Sequence, residues 1–118
     1  MSKDFHVGRV ADHKETSGWL VGEFMNGLLH SNSVGIAYKV LNPGDSGELH
    51  THSKSTEYTI VIDGEYPVRV GGKDIVLKPG DFMVIPTDTS LEWQIPSKGK
   101  SVTVIIIRSP AVNDKVVI

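Results

Sequence analysis

The sequence predicts an all-β domain built as a small barrel of short strands. Twelve glycines and six prolines interrupt the 118 residues at short intervals. The segments between them are rich in Val, Ile, Tyr and Thr, which favour strands. No helical periodicity extends over a useful length. A chain of this length forms one domain, so we expect a single domain over residues 1–118.

Eight strands are expected between residues 34 and 108, separated by Gly- and Pro-containing turns. They are Val34–Leu41, Gly47–His52, Thr56–Ile62, Glu65–Val70, Lys73–Leu77, Phe82–Ile85, Leu91–Ile95 and Val102–Arg108. Asp63 and Gly64 form a two-residue hairpin signal. Pro67 should lie at a sheet edge or a bulge, because proline has no N–H to donate.

The two ends of the chain are expected to flank this barrel. Residues 1–33 form an N-terminal arm with one candidate strand, Gly18–Phe24. Residues 109–118 form a tail that ends in Val116, Val117 and Ile118. Three consecutive apolar residues are poorly suited to free solution, so we expect the tail to pack on the barrel or on a partner subunit.

Composition excludes several classes of function. The net charge is −2 and the basic residues are scattered, so nucleic acid is not an expected partner. The longest apolar run is Val104–Ile107, which is too short to span a membrane. The absence of cysteine excludes disulfides and thiolate metal sites. Together with a polar stretch over residues 1–12 that does not resemble a signal peptide, this predicts a cytoplasmic protein.

One short segment contains the residues of a candidate metal site. His50 and His52 are two positions apart, so their side chains point to the same face of a strand. Glu57 begins the next strand after a short polar connection and can fold back beside them. Two imidazoles and one carboxylate are suitable ligands for a divalent ion such as Fe, Mn, Ni or Zn.

The segment resembles the first conserved motif of the cupin superfamily, G-x5-H-x-H-x4-E-x6-G. The matching residues are Gly44, His50, His52, Glu57 and Gly64. The resemblance implies a cupin double-stranded β-helix, a small jelly-roll-like barrel. It also implies a homodimer, because small members of the superfamily commonly pair through added N-terminal strands.

The second cupin motif, G-x5-P-x-G-x2-H-x3-N, is matched only in part. Gly80 and Pro86 are in place, whereas Asp88, Leu91 and Ile95 stand where the glycine, the histidine and the asparagine are expected. In metal-binding relatives that histidine is the fourth ligand, and leucine cannot coordinate a metal. Two alternatives follow: a three-ligand metal site, or a site without metal whose histidines hydrogen-bond a ligand directly.

Further residues are candidates for roles at the same site. Glu57 is a metal ligand or a general base, and Tyr38 is a candidate proton donor. Trp93 shares a face with Leu91, so both are expected to line the substrate pocket. Arg69 is a candidate anchor for an anionic ligand.

The resemblance implies a protein that binds a small molecule, with a divalent metal as cofactor. A metal-dependent enzyme acting on a small polar or anionic substrate is one interpretation, with a dioxygenase, an isomerase or epimerase, or a lyase as the reaction types. A non-catalytic module that binds a sugar, a carboxylate or a metal ion is the alternative. The sequence leaves the substrate, the reaction and the metal open.

Overall fold

The computed structural model describes residues 5–14, 17–22 and 28–118, and the strands dominate this part of the chain. The described residues contain no α-helix, only a 3₁₀ turn at Val10–His13, and no helix among them is long and apolar enough to cross a membrane. The strands are β1 (Trp19–Gly22), β2 (Leu29–His30), β3 (Gly35–Leu41), β4 (Ser46–His52), β5 (Thr56–Asp63), β6 (Tyr66–Val70), β7 (Lys73–Leu77), β8 (Phe82–Ile85), β9 (Leu91–Gln94), β10 (Val102–Ser109) and β11 (Lys115–Val117). Each of the eight expected strands is present to within one residue at either end. The last two residues of the expected N-terminal strand, Glu23 and Phe24, lie outside the described residues.

The strands form two sheets that enclose one interior. The first sheet has the order β2-β1-β3-β10-β5-β8, and the second has the order β11-β4-β9-β6-β7. Neighbouring strands are antiparallel except β1 and β2, which are parallel. From β3 to β11, consecutive strands lie in different sheets except β6 and β7, which form a hairpin. This is the topology of a double-stranded β-helix and confirms the all-β prediction.

The turn at Asp63 and Gly64 is not a hairpin, and this corrects the sequence prediction. β5 pairs with β8 and β10, whereas β6 pairs with β7 and β9 in the other sheet. Gly64 has a φ of +78°, and a Cβ there would lie 2.5 Å from the Ser101 carbonyl oxygen. Glycine is therefore needed for a close crossing between sheets, and a local turn signal does not reveal which strand will be the partner.

Pro67 lies in an inner strand, although an edge or a bulge was expected. β6 has β7 on one side and β9 on the other. Pro67 is opposite Val76 of β7, but the pairing with β9 begins only at Val68. The proline thus occupies the part of β6 that extends beyond β9, where an inner strand can tolerate the missing N–H.

The interior is apolar at one end of the barrel and polar at the other. The apolar cluster comprises Leu41, Val61, Tyr66, Val68, Met83, Ile85, Leu91, Ile95, Val102 and Val104. Val102 and Val104 of β10 are completely buried. On the same inward face of β10, Arg108 follows these valines at intervals of two residues and lies opposite Glu57 of β5. Because side chains alternate between the two faces of a strand, the inward face of β10 carries both core valines and the charged Arg108.

The C-terminal tail is attached to the second sheet through its backbone. β11 pairs with β4, with Val117 opposite His50 and Lys115 opposite His52. The side chains of Val116, Val117 and Ile118 nevertheless stay half to two-thirds exposed. The main consequence of this pairing concerns Asp114, which precedes β11 and is buried beside the connection between β4 and β5.

Candidate metal centre

His50 and His52 lie side by side at the end of β4, with both side chains facing the interior. Their ring centroids are 5.1 Å apart and the ring planes are nearly perpendicular. Both are largely buried, and they share with Glu57 a cavity of about 10 Å³. A cavity of this size accommodates roughly one water molecule or one metal ion.

The hydrogen bond of His50 determines which of its ring nitrogens is available. Nδ1 lies 2.7 Å from the carbonyl oxygen of Glu48. A carbonyl oxygen only accepts hydrogen bonds, so Nδ1 carries the proton and donates. Nε2 of the neutral ring is then the unprotonated nitrogen, the form in which imidazole binds a metal.

Asp114 has the same effect on His52 and was not anticipated from the sequence. Its Oδ1 accepts a hydrogen bond of 2.8 Å from His52 Nδ1, and its Oδ2 accepts from the backbone N–H groups of Lys54 and Ser55 at 2.8 and 2.7 Å. Burial alone would raise the pKa of Asp114, but these hydrogen bonds outweigh it and hold the pKa well below the usual range. Asp114 is therefore an ionised acceptor that leaves Nε2 of His52 available.

Glu57 faces the two imidazoles from the neighbouring sheet. Its Oε1 is 3.9 Å from Nε2 of His52, and only about a tenth of the side chain is exposed. Burial raises the pKa of Glu57 above its usual value, Asp114 adds to this, and the positive charges of Arg108 and Lys39 act in the opposite direction. The site thus places one carboxylate oxygen opposite Nε2 of His52, in a cavity that His50 also lines.

These residues fit a divalent cation by their chemistry. Two neutral imidazoles and a carboxylate form a three-ligand set that leaves other coordination positions open. One ion with bonds of about 2.1 Å spans ligand atoms up to about 4.2 Å apart, which includes the separation between His52 and Glu57. Among the described residues, no three His, Cys, Asp or Glu side chains already have the spacing of a formed metal site. Binding of one ion by all three residues therefore requires some rearrangement of these side chains.

Leu91 occupies the interior position beside His50. The two residues are paired between β9 and β4, and Leu91 is 5 % exposed. Its side chain lines the same small cavity as the histidines, together with Ile85, Pro86 and Thr89. This wall of the cavity is apolar and adds no metal ligand, so the candidate ligands are restricted to the three residues on β4 and β5.

Asp88 keeps a backbone conformation that usually requires glycine. It has a φ of +60°, in the left-handed region, and its N–H donates a hydrogen bond of 2.8 Å to the carbonyl oxygen of His52. Aspartate tolerates this conformation better than most residues do. The loop between β8 and β9 is thereby attached to the end of β4 even though the second motif lacks its glycine.

The match to a known family agrees with this geometry. Residues 37–107 match the cupin domain family. The chain is a member of the cupin family. No curated protein is similar enough to be matched with it.

Solved structures share the fold of this cupin at low sequence identity. KdgF from a Halomonas species is 24% identical, with 74% of this chain and 77% of that chain covered and a TM-score of 0.63. A cupin protein from Bacteroides fragilis is 17% identical, covering 94% and 80%, with a TM-score of 0.61. A putative sugar phosphate isomerase from Acidithiobacillus ferrooxidans is 20% identical, with a TM-score of 0.59. The match covers 65% of this cupin but only half of the isomerase chain.

Two of the residues that the sequence suggested for this site lie elsewhere, and the alternation of the strands explains why. Tyr38 is on the outer face of β3, between the inward-facing Ala37 and Lys39. Arg69 is on the outer face of β6, where its Nε and Nη2 donate to the two carboxylate oxygens of Asp74 at 2.8 and 3.1 Å. The structure therefore brings neither the proposed proton donor nor the proposed anion anchor to the histidines.

Trp93 faces inward but does not border the small cavity. Its ring packs against Tyr66 at a centroid distance of 6.0 Å. Its indole also lies directly on the backbone of Gly47, where any Cβ would collide with it. Trp93 instead lines a cleft of about 1100 Å³ that also reaches Lys39 and Ser46.

Lys39 and Arg108 are interior cations that the sequence interpretation did not assign to the site. Lys39 alternates with the buried Ala37 and Leu41 on β3, and Arg108 continues the inward face of β10. Burial lowers the pKa of Lys39 from its ordinary value of 10.5, the positive charge of Arg108 adds to this, and the negative charge of Glu57 opposes it. The charged form of Lys39 therefore destabilises the fold.

The effect of replacing Lys39 on the free energy of unfolding should depend on pH. Because the folded pKa of Lys39 is below its ordinary value of 10.5, its burial cost is fully present at pH values below the folded pKa. The cost falls as pH rises from the folded pKa toward 10.5, since the unfolded chain then binds more protons. We expect Lys39→Met to raise the free energy of unfolding at pH 7 by about 0.5–2 kcal/mol, the range of common stabilising substitutions.

Urea unfolding of the wild type and Lys39→Met at pH 7 and near pH 10 checks this expectation. The stability difference should shrink at the higher pH. Lys73→Met, which replaces an exposed strand lysine, serves as the control and should show no such trend. A Lys39→Met protein that is less stable than the wild type at pH 7 contradicts the assignment of a burial cost.

Proposed function

We propose that this cupin binds a small polar or anionic molecule at a divalent metal held by His50, His52 and Glu57, and that it acts as a metal-dependent enzyme. The main support is the hydrogen bonding of the two imidazoles. Carbonyl and carboxylate acceptors occupy both Nδ1 positions, so both Nε2 atoms are available, and that of His52 faces Glu57. Such outer acceptors are typical of histidines that ligate metals.

The surroundings of the three ligands suit chemistry on a bound substrate. A divalent ion, when bound, supplies Lewis-acid polarisation of substrate oxygens. If the two histidines hold the ion without Glu57, its carboxylate is instead the candidate general base, and burial raises its pKa above the usual value. Ile85, Pro86 and Leu91 form an apolar wall that limits the access of water.

An isomerase is the reaction type that the relatives support, among the dioxygenase, isomerase or epimerase, and lyase types. Two structural relatives carry the description of a sugar phosphate isomerase, one of them as putative. Each is about 20% identical, and the match covers half of its chain. The proposal for this cupin therefore extends to the class of reaction and not to a named substrate.

A non-catalytic binding module is the second candidate function, and Leu91 is the observation that favours it. The leucine fills the interior position at which metal-binding relatives carry a fourth ligand. A site with fewer protein ligands holds its metal less firmly, which favours a module over an enzyme that depends on the metal. Product analysis after incubation with sugar phosphates separates the two candidates, because a module returns every compound unchanged.

Metal binding by the stripped protein tests the proposal. We expect isothermal titration with Fe(II), Mn(II), Ni(II) or Zn(II) to show one ion per chain for at least one of these metals. Loss of an outer-shell partner usually lowers metal affinity 10–100-fold, so His50→Ala and His52→Ala should each lower it at least about 100-fold. Leu91→His should raise it by adding a fourth ligand.

His30→Ala is the matched control, because His30 is exposed on β2. Its affinity should equal that of the wild type. Absence of binding for all four metals contradicts the proposal, and so does unchanged affinity in His50→Ala.

We also propose that two copies of this cupin pair through the outer face of the six-stranded sheet. This face consists almost entirely of apolar residues on four adjacent strands: Ile36, Tyr38, Val40, Tyr58, Ile60, Ile62, Phe82, Val84, Ile105 and Ile107. Phe82 is 72 % exposed. Monomers rarely present a continuous apolar face of this kind to water. We therefore expect a second copy of this chain to cover the face, in line with the homodimer that the resemblance implies.

Light scattering coupled to size exclusion tests the pairing with two matched variants. Val84 on this face and Val116 on β11 of the other sheet are each 50 % exposed. The wild type and Val116→Lys should have twice the monomer mass. Val84→Lys should shift toward the monomer, because a buried lysine opposes association. A monomeric wild type, or a dimer broken only by Val116→Lys, contradicts this interface.

The cytoplasmic location expected from the sequence stays a prediction.

A further inference from the structure

The interior contains a guanidinium, that of Arg108, whose hydrogen-bonding capacity is not satisfied. Within the described residues, Nε of Arg108 is buried and has no hydrogen-bond partner. Its Nη1 lies 3.5 Å from Nδ1 of His52, but that nitrogen already donates to Asp114 and cannot accept. An arginine keeps its charge at all ordinary pH values, so an unpaired N–H here carries a substantial desolvation cost.

A second cation lies on the same aromatic ring. Nζ of Lys39 and Cζ of Arg108 are each 5.4 Å from the ring centroid of Trp19. The two charges are therefore no more than about 11 Å apart. Contact with an aromatic ring stabilises a cation only modestly, and within the described residues neither cation forms a salt bridge.

The acidic groups nearby are engaged elsewhere. Asp114 is already occupied by His52 and two backbone N–H groups. Glu57 is a single carboxylate and is itself a candidate metal ligand. A ligand that carries negative charge would therefore supply the ion-pair partner that Lys39 and Arg108 lack within the described residues.

The large cleft provides access to one of these cations, Lys39. It lies between the 3₁₀ turn and strands β3 and β4, and Lys39 forms part of its lining. Lys39 is only partly buried, so a ligand that enters the cleft can reach a charge that is shielded from bulk water. Arg108, also partly buried, lies beyond Lys39 on the same Trp19 ring. A shielded charge interacts more strongly with an anion than an exposed one does.

We propose that Lys39 and Arg108 form an oxyanion subsite, with Trp19 as its wall, that binds the carboxylate or phosphate group of a small-molecule ligand. An arginine fork with a free N–H matches either group, and the lysine adds a second donor with a positive charge. This subsite deepens the proposed function, since the ligand so anchored would extend toward the metal ligands. It replaces Arg69, whose guanidinium is already paired with Asp74 on the outer surface.

The fluorescence of Trp19 provides a direct test. The chain has two tryptophans, so Trp93→Phe leaves Trp19 as the reporter. In this background, after removal of metal on a chelating resin and at constant ionic strength, pyruvate and glycerol 3-phosphate are titrated as the carboxylate and phosphate probes, with glycerol as the neutral probe. We expect a saturable change with at least one anion and none with glycerol. The anion that binds more tightly shows whether the subsite prefers a carboxylate or a phosphate group.

Three substitutions that each remove one positive charge locate the subsite. Lys39→Met and Arg108→Gln should each weaken anion binding at least about tenfold, whereas Arg69→Met removes an exposed positive charge and should leave binding unchanged. Circular dichroism verifies that each variant is folded, and Lys39→Met alone decides the question if Arg108→Gln does not fold. No saturable response to either anion overturns the proposal, as does unchanged affinity in Lys39→Met.

The same proteins separate this proposal from the metal proposal. The anion titration contains no metal, and the metal titration contains no anion. Loss of metal binding with intact anion binding overturns the metal proposal alone. Intact metal binding in a protein that does not bind either anion overturns the subsite alone.

Discussion

The site depends on one buried carboxylate, that of Asp114. It accepts hydrogen bonds from His52 and from the backbone of Lys54 and Ser55, and so connects the C-terminal tail to the connection between β4 and β5. This contact requires β11 to pair with β4, because the pairing brings Asp114 beside the histidines. The ionised acceptor fixes the proton on Nδ1 of His52 and directs Nε2 toward Glu57. Backbone pairing of the tail and the chemistry of the site are therefore coupled through one side chain.

The polar end of the interior opposes stability, whereas the apolar end provides it. Val102 and Val104 are fully buried, and each buried valine contributes about 1.5–3 kcal/mol. Farther along the same strand, Arg108 leaves a buried N–H without a partner within the described residues. Lys39 adds a second charge whose pKa is lowered by burial. Apolar residues at these two positions would stabilise the barrel, so a role in ligand binding accounts for the charges better than packing does.

The fold was largely predictable because its signals are local. Alternation and turn residues define the strands, and the spacing of His50, His52 and Glu57 places three candidate ligands together. The failures concern partners distant in the chain. Asp114 lies 62 residues from His52 and carries no motif, and the Asp63–Gly64 turn does not reveal that β5 and β6 belong to different sheets. The inward position of Lys39 was recoverable, since it alternates with Ala37 and Leu41.

The positions of the protons on the two imidazoles show whether their acceptors leave Nε2 available. A long-range ¹H–¹⁵N correlation spectrum of the metal-free protein near pH 8 distinguishes protonated from unprotonated ring nitrogens. We predict protonated Nδ1 and unprotonated Nε2 for both His50 and His52, because their acceptors are Glu48 and Asp114. A proton on Nε2 of His52, or an average of both forms, would contradict this prediction.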